Sequence, residues 1–93
     1  MPRYLIEVKH GDEYVACVKA LHAIESYGSH FFTHADWGCG DGVHCCWIIA
    51  ELENRDEALL MVHPEFRNDT RIVELTRYTR EQIAKMVARL GEG

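Results

Sequence analysis

The N-terminal part of the chain shows two hydrophobic periods in succession. In RYLIEVK, residues 3–9, Tyr4, Ile6 and Val8 alternate with a second set of side chains, which predicts a β-strand with two distinct faces. From Asp12, a candidate N-cap, apolar residues recur at spacings of three and four and predict a helix that ends near Gly28. The apolar stripe of this helix consists of Tyr14, Cys17, Val18, Leu21 and Ile24.

The middle of the chain, HFFTHADWGCGDGVHCCW from residue 30 to residue 47, predicts two strands joined by a turn rich in glycine. If Trp37 lies opposite Val43, the pairing continues as Asp36 with His44, Ala35 with Cys45, and His34 with Cys46. Directly paired residues share a face of a sheet. In this register one face of the sheet carries Trp37, Cys45 and Trp47, and we expect helices to cover it. The other face, which we expect to stay uncovered, carries His30, His34, Asp36, His44 and Cys46.

The C-terminal half again contains sequence signals for helices and for a strand. Asn54 with Glu57, and Thr79 with Gln82, have the spacing of a capping box, which predicts two further helices. Between them TRIVELTRY, residues 70–78, predicts a fourth strand. We expect Val73 and Leu75 to join Tyr4, Ile6 and Val8 on the apolar face, and Leu5, Glu7, Ile72 and Glu74 to occupy the reverse face. The last helix has an apolar stripe that should dock on an apolar surface: Ile83, Met86, Val87 and Leu90.

The resulting order, β-α-β-β-α-β followed by a helix, is typical of a ferredoxin-like α+β domain. In this arrangement two helices cover one face of a four-stranded antiparallel sheet. The 93 residues suit one domain, residues 1–93. Because a chain of this size buries a modest core, we expect a second copy to supply further apolar cover in a homodimer.

The amino-acid composition limits the classes of binding partner and the cellular compartment that we expect for the protein. Fifteen Asp and Glu residues against ten Lys and Arg give a formal charge of −5, which argues against nucleic acid as a partner. We expect no membrane partner either, because no apolar run approaches the roughly 20 residues needed to cross a bilayer. The N-terminus lacks the apolar segment of a signal peptide, so we predict a cytoplasmic protein whose four cysteines stay reduced.

The uncovered face of the predicted sheet raises the hypothesis of a metal site. His34, His44, Cys46 and Asp36 would lie on neighbouring strands, with Cβ atoms about 4.5–5.5 Å apart, close enough to converge on one ion. Glu7 on the first strand could complete or orient this ligand shell. Imidazole and thiolate groups favour nickel, zinc or copper over magnesium or calcium. The alternative is that these residues are hydrogen-bonded interface residues and a packed thiol.

The remaining histidines and cysteines carry weaker signals. Cys39 in the turn is a further ligand, a reactive thiol, or an incidental exposed cysteine. His10, His22 and His63 lie at element ends or helix flanks, where solvated or capping histidines are the default. No CxxC pair or HExxH motif is present, so spacing alone does not identify a metal.

The opening MPRYLIE, the element order and the short C-terminal extension resemble a family of small bacterial ferredoxin-like proteins, some described as nickel-binding, that dimerise through their sheets. The resemblance implies a metal cofactor, and it points to Glu7, His34 and Cys46 as ligands. Since the passage WIIAELENRDEA is longer than is usual in that family, Cys45 is an alternative match for Cys46.

Two other classes of function remain open. The same plan resembles small dimeric αβ-barrel monooxygenases and isomerases, which hold an organic ligand in the sheet cavity, and His44 beside Asp36 could then act as an acid or base. The third class is a sensory or interaction module without catalysis. The sequence therefore leaves open whether the protein is an enzyme.

Overall fold

The computed structural model describes residues 1–27 and 33–91. The predicted start of the second strand, including His30, lies outside the described residues. The strands are β1 (Arg3–Lys9), β2 (Asp36–Trp37), β3 (Cys45–Glu51) and β4 (Thr70–Leu75). The helices are α1 (Tyr14–Tyr27), α2 (Arg55–Leu60) and α3 (Arg80–Gly91), with short 3₁₀ helices at Cys39–Asp41 and Pro64–Asp69.

The four strands form one sheet in the order β2-β3-β1-β4, and every neighbouring pair is antiparallel. The predicted α+β architecture with a four-stranded antiparallel sheet is thereby confirmed. The first strand has the bounds that its alternation predicts, residues 3–9. It lies between β3 and β4, so its buried side chains form the middle of the core.

The helix-covered face of the sheet carries the core. Tyr4, Ile6 and Val8 are each at most 5% exposed, as their alternation predicts. Ile24 of α1 and Ala58 of α2 are buried in the same cluster, so both helices cover this face. The predicted α1 stripe is only partly buried, because Tyr14 and Val18 stay exposed.

The predicted faces of the third and fourth strands are wrong. Ile6 pairs with Ile48 and with Ile72, so these three residues share the helix-covered face. The uncovered face instead carries a row of three apolar side chains, Ile49, Leu5 and Val73. Because β3 and β4 contain apolar residues at both parities, alternation alone did not identify the buried set.

The predicted register of the hairpin is also wrong, and its turn explains the difference. Trp37 pairs with Cys46 and Asp36 with Trp47, three positions away from the predicted pairing. The chain between the strands forms the 3₁₀ helix Cys39–Asp41 instead of a tight reversal. An odd shift of three residues exchanges the two faces. Cys46 therefore lies on the helix-covered face and Trp47 on the uncovered one.

Two glycines permit this turn. A Cβ atom at Gly38 would lie 2.7 Å from the carbonyl oxygen of Val43 and 2.8 Å from the Trp47 ring, so no side chain fits there. Gly42 ends the 3₁₀ helix with a φ of +78°, a conformation that other residues rarely adopt.

Both predicted capping positions are confirmed. The Asn54 side chain accepts a hydrogen bond from the Glu57 amide at 2.8 Å and caps α2. Thr79 accepts one from the Gln82 amide at 3.1 Å, and the Gln82 side chain accepts one from the Thr79 amide at 2.8 Å. This reciprocal pair is the capping box that the sequence predicts for α3.

Helix α3 extends away from the sheet. None of its residues is buried, and its apolar stripe, predicted to dock, is 49–82% exposed in the single chain. The molecule is accordingly elongated, with principal extents of 55, 29 and 22 Å. Among residues 1–27 and 33–91, no helix has the length and hydrophobicity needed to cross a membrane.

Candidate metal centre

Three side chains meet where β1 ends and β3 begins. His10 directly follows β1, Cys39 begins the 3₁₀ helix of the turn, and His44 immediately precedes β3. One ligand atom from each residue lies within 4.8 Å of the other two. These three residues, which we call the metal group, could hold a metal ion, and within the described ranges they are the only such group of three.

The backbone of the hairpin positions the metal group. The His10 amide donates a hydrogen bond to the His44 carbonyl oxygen at 3.1 Å, which extends the β1–β3 pairing by one step. The Gly38 amide bonds the Cys45 carbonyl at 3.0 Å, and the Val43 amide bonds the Gly38 carbonyl at 3.0 Å. These bonds close the turn and bring Cys39 back toward His10.

Direct contacts connect the side chains of the metal group. His10 Nε2 lies 3.0 Å from Cys39 Sγ, and the His10 and His44 rings meet edge to face with centroids 5.8 Å apart. Cys17 of α1 donates a hydrogen bond from its thiol to Cys39 Sγ at 2.8 Å. The metal group therefore lies beside α1, in contrast to the predicted site on the uncovered sheet face.

Two buried nitrogen atoms in the metal group have no hydrogen-bond partner among residues 1–27 and 33–91. They are Nδ1 of His10 and Nδ1 of His44, and both residues are half-buried. A buried polar atom without a partner costs about 1–3 kcal/mol. A metal ion could satisfy the His44 nitrogen, since imidazole binds metals through either ring position, whereas His10 turns its other nitrogen, Nε2, toward Cys39.

The environment shifts the pKa values of two members of the metal group. Burial, assisted by the hydrogen bond from Cys17, raises the pKa of the Cys39 thiol to about 11. Burial and the neighbouring His44 lower the pKa of His10. The imidazole of His10 is therefore neutral and ready to coordinate at neutral pH, whereas Cys39 must lose a proton to bind as a thiolate.

Of the five ligands predicted from the sequence, only His44 belongs to the metal group. Cys46 is fully buried in the apolar core, where burial raises the pKa of its thiol to about 12. Glu7 lies on the uncovered face and accepts hydrogen bonds from the Trp47 indole and from Arg71, each at 3.0 Å. The bond from Trp47 and the charge of Arg71 lower the pKa of Glu7.

The other two predicted ligands are not members of the metal group. Asp36 is exposed and pairs with Trp47, so the predicted pair of Asp36 with His44 is not formed. His34 is exposed in a segment of helical backbone and has no place in the sheet. The cross-strand arrangement that predicted these ligands depends on a register that the hairpin does not have.

Sequence reasoning missed His10 and left the role of Cys39 open. The alternation in β1 could have indicated the position of His10. His10 follows Tyr4, Ile6 and Val8 at the same spacing of two, so its side chain is expected on the helix-covered face. For Cys17 the corresponding signal is its place in the predicted apolar stripe of α1. The return of Cys39 to β1 depends on the 3₁₀ turn, and no periodicity predicts it.

Comparison of the chain with models of known protein families, with curated proteins and with solved structures finds no match. The geometry of the metal group is therefore the main indication of function.

Proposed function

We propose that the protein binds one divalent transition metal ion through His10, Cys39 and His44. The observation that carries this proposal is the convergence of the three ligand atoms within 4.8 Å. In a tetrahedral zinc site with bonds of roughly 2.0–2.3 Å, a nitrogen and a sulfur ligand lie about 3.6 Å apart. The distance of 3.0 Å between His10 Nε2 and Cys39 Sγ needs only a small expansion to reach this value.

The donor set favours zinc, nickel or copper. Two imidazoles and one thiolate are borderline and soft ligands, which select these ions over magnesium and calcium. Three protein ligands leave one position of a tetrahedral site for water or a further ligand. The same donor set does not distinguish nickel from zinc.

Metal titration of reduced, untagged protein tests the proposal. We expect binding of one zinc or nickel ion per chain, measured by calorimetry. Cobalt should produce an absorption band of thiolate-to-metal charge transfer, which reports the Cys39 bond directly. The variants His10→Ala, His44→Ala and Cys39→Ser should each lose most of the affinity and, for Cys39→Ser, the whole band.

His22→Ala is the matched control, because His22 is an exposed histidine of α1 outside the metal group. It should bind metal as the wild type does. Unchanged metal binding by folded His10→Ala and Cys39→Ser proteins would overturn the proposal. Loss of binding in His34→Ala instead would restore the ligand set predicted from the sequence.

We also propose that the domain is ferredoxin-like and acts as a homodimer. The element order and a sheet with β1 between β3 and β4 support the fold assignment. The apolar stripe of α3 and the row Ile49, Leu5 and Val73 on the uncovered face support the dimer, because the stripe and Ile49 are exposed, and Leu5 and Val73 only partly buried, among the described residues of one chain. A second copy would bury both.

Light scattering over a range of concentrations tests the dimer. Val87 of α3 and Val15 of α1 are 60% and 58% exposed, so Val87→Asp and Val15→Asp form a matched pair. We expect Val87→Asp to shift the protein toward monomer and Val15→Asp to leave the dimer intact. A wild-type chain that stays monomeric at high concentration would contradict the proposal.

A further inference from the structure

The thiol of Cys17 contacts the metal group without being one of its three members. Its Sγ atom lies 2.8 Å from Cys39 Sγ. Both cysteines are free thiols and half-buried, so a small solute can reach them. The other two cysteines, Cys45 and Cys46, are buried. The chain thus brings one accessible thiol pair together, and one thiol of the pair is a proposed metal ligand.

We propose that Cys17 and Cys39 form a dithiol that hydrogen peroxide oxidises to a disulfide, and that this bond controls access of the metal to the metal group. The inference depends on the proposed function for its second part, the control of the metal. The disulfide itself depends only on the two cysteines.

Geometry supports bond formation. A disulfide has a sulfur separation of about 2.05 Å, so the present 2.8 Å requires the two atoms to approach by about 0.8 Å. Cys17 lies on α1 and Cys39 on the turn after β2, so the bond would join two elements that already touch through these side chains. The Cys39 sulfur belongs to both the thiol pair and the metal group. It can bind the metal ion or form the disulfide, but it cannot do both at once.

The oxidation balances with peroxide as the only oxidant. The thiolate of one cysteine attacks a peroxide oxygen, the O–O bond breaks, and a sulfenic acid and hydroxide form. The thiol of the other cysteine then attacks the sulfenic sulfur, the S–S bond forms, and the S–O bond breaks with release of water. Two thiols and one hydrogen peroxide give one disulfide and two waters, with the sulfurs oxidised and the peroxide oxygens reduced.

The disulfide removes the thiolate from the metal group. His10 and His44 alone are a weaker donor pair, so the oxidised protein should release its metal. Reduction by a dithiol reagent restores both thiols and therefore the metal group. This makes the metal group sensitive to peroxide in a reversible manner.

Mass spectrometry of the metal-free protein tests the disulfide independently of any metal. After treatment with a small excess of hydrogen peroxide, we expect a loss of two hydrogen atoms, a decrease in free thiols from four to two, and a cross-linked peptide that joins Cys17 to Cys39. Oxygen addition without a cross-link, or a cross-link between another pair, would overturn the proposal. Cys45→Ala is the control cysteine variant and should keep the cross-link.

A zinc-release assay tests the control of the metal. Zinc-loaded wild type should release its zinc to a chromogenic chelator after peroxide and rebind zinc after reduction. Cys17→Ala retains all three residues of the metal group, so it should bind zinc but lose the reversible, peroxide-dependent release. If Cys17→Ala released and rebound zinc as the wild type does, the switch would be refuted.

The two proposals fail in different ways. If the reduced wild type bound no zinc, the proposed function and the control of metal would both fail, while the mass spectrum would still decide whether the disulfide forms. If the wild type bound zinc but formed no Cys17–Cys39 cross-link, the metal site would stand and this inference would fail.

Discussion

Helices α1 and α3 carry the same kind of sequence signal and have different roles in the structure. Each shows apolar residues at spacings of three and four. Helix α1 buries Ala20 and Ile24, the latter in the core cluster with the sheet, and brings Cys17 to the metal group, whereas α3 buries no residue. The helix-covered face is already occupied by α1 and α2. Periodicity therefore indicates that a helix has an apolar face but not which surface covers it.

The largest expected effect comes from the same substitution made in both helices. Ile24→Ala removes a side chain that is 3% exposed, and we expect it to lower the free energy of unfolding by about 2–5 kcal/mol. Ile83→Ala removes one that is 49% exposed, and at low protein concentration its effect should stay within about 0.5 kcal/mol. Urea unfolding measures both. A large cost for Ile83→Ala in the monomer would show that α3 packs on its own chain.

The next effect is stabilisation by metal. Zinc at a free concentration 100-fold above its dissociation constant should raise the free energy of unfolding by about 2.7 kcal/mol. Cys39→Ser should abolish this gain, and Ile83→Ala should keep it because α3 is not part of the metal group. Unfolding curves with and without zinc provide the measurement. A gain that persisted in Cys39→Ser would contradict the ligand assignment.

A smaller effect distinguishes the two capped helices. Asn54→Ala removes the cap of α2, whose Ala58 is buried in the core, and should cost about 1 kcal/mol of global stability. Thr79→Ala removes the corresponding cap of α3. We expect it to increase amide exchange along α3 while leaving global unfolding of the monomer unchanged, because α3 is exposed. Equal global costs in both variants would show that α3 belongs to the cooperative unit.

The smallest effect is a dependence on pH. Since burial lowers the pKa of His10 in the folded state, the unfolded chain binds this proton more readily. The stability due to neutral His10 is present above the ordinary histidine pKa of about 6.5 and is lost as the pH falls below it. Denaturation of metal-free wild type and His10→Gln across this range measures the difference. Identical pH profiles would contradict the pKa shift.

The sequence predicted the elements whose signals are local. Tyr4, Ile6 and Val8 alternate with partly exposed residues, and the bounds and buried face of β1 follow from them. Caps at Asn54 and Thr79 depend on residues three positions apart, which a sequence displays directly. These features require no knowledge of distant contacts.

The register of β3 could not be predicted in the same way. The run CCWII is apolar at both parities, so either set of alternate residues could face the core. The position of Trp47 on the uncovered face is stabilised by a residue 40 positions away, because Glu7 accepts a hydrogen bond from the Trp47 indole N–H. The ligands predicted from the sequence were chosen on a different register, and for this reason only His44 among them belongs to the metal group.

The position of Trp37 gives the protein an optical probe of its own. The Trp37 ring lies with its centroid 5.9 Å from that of His10. A paramagnetic ion such as copper bound by His10 would quench indole emission at this range, whereas diamagnetic zinc would leave much of it intact. Fluorescence from the native chain can therefore follow which ion enters and when it leaves, without any attached dye.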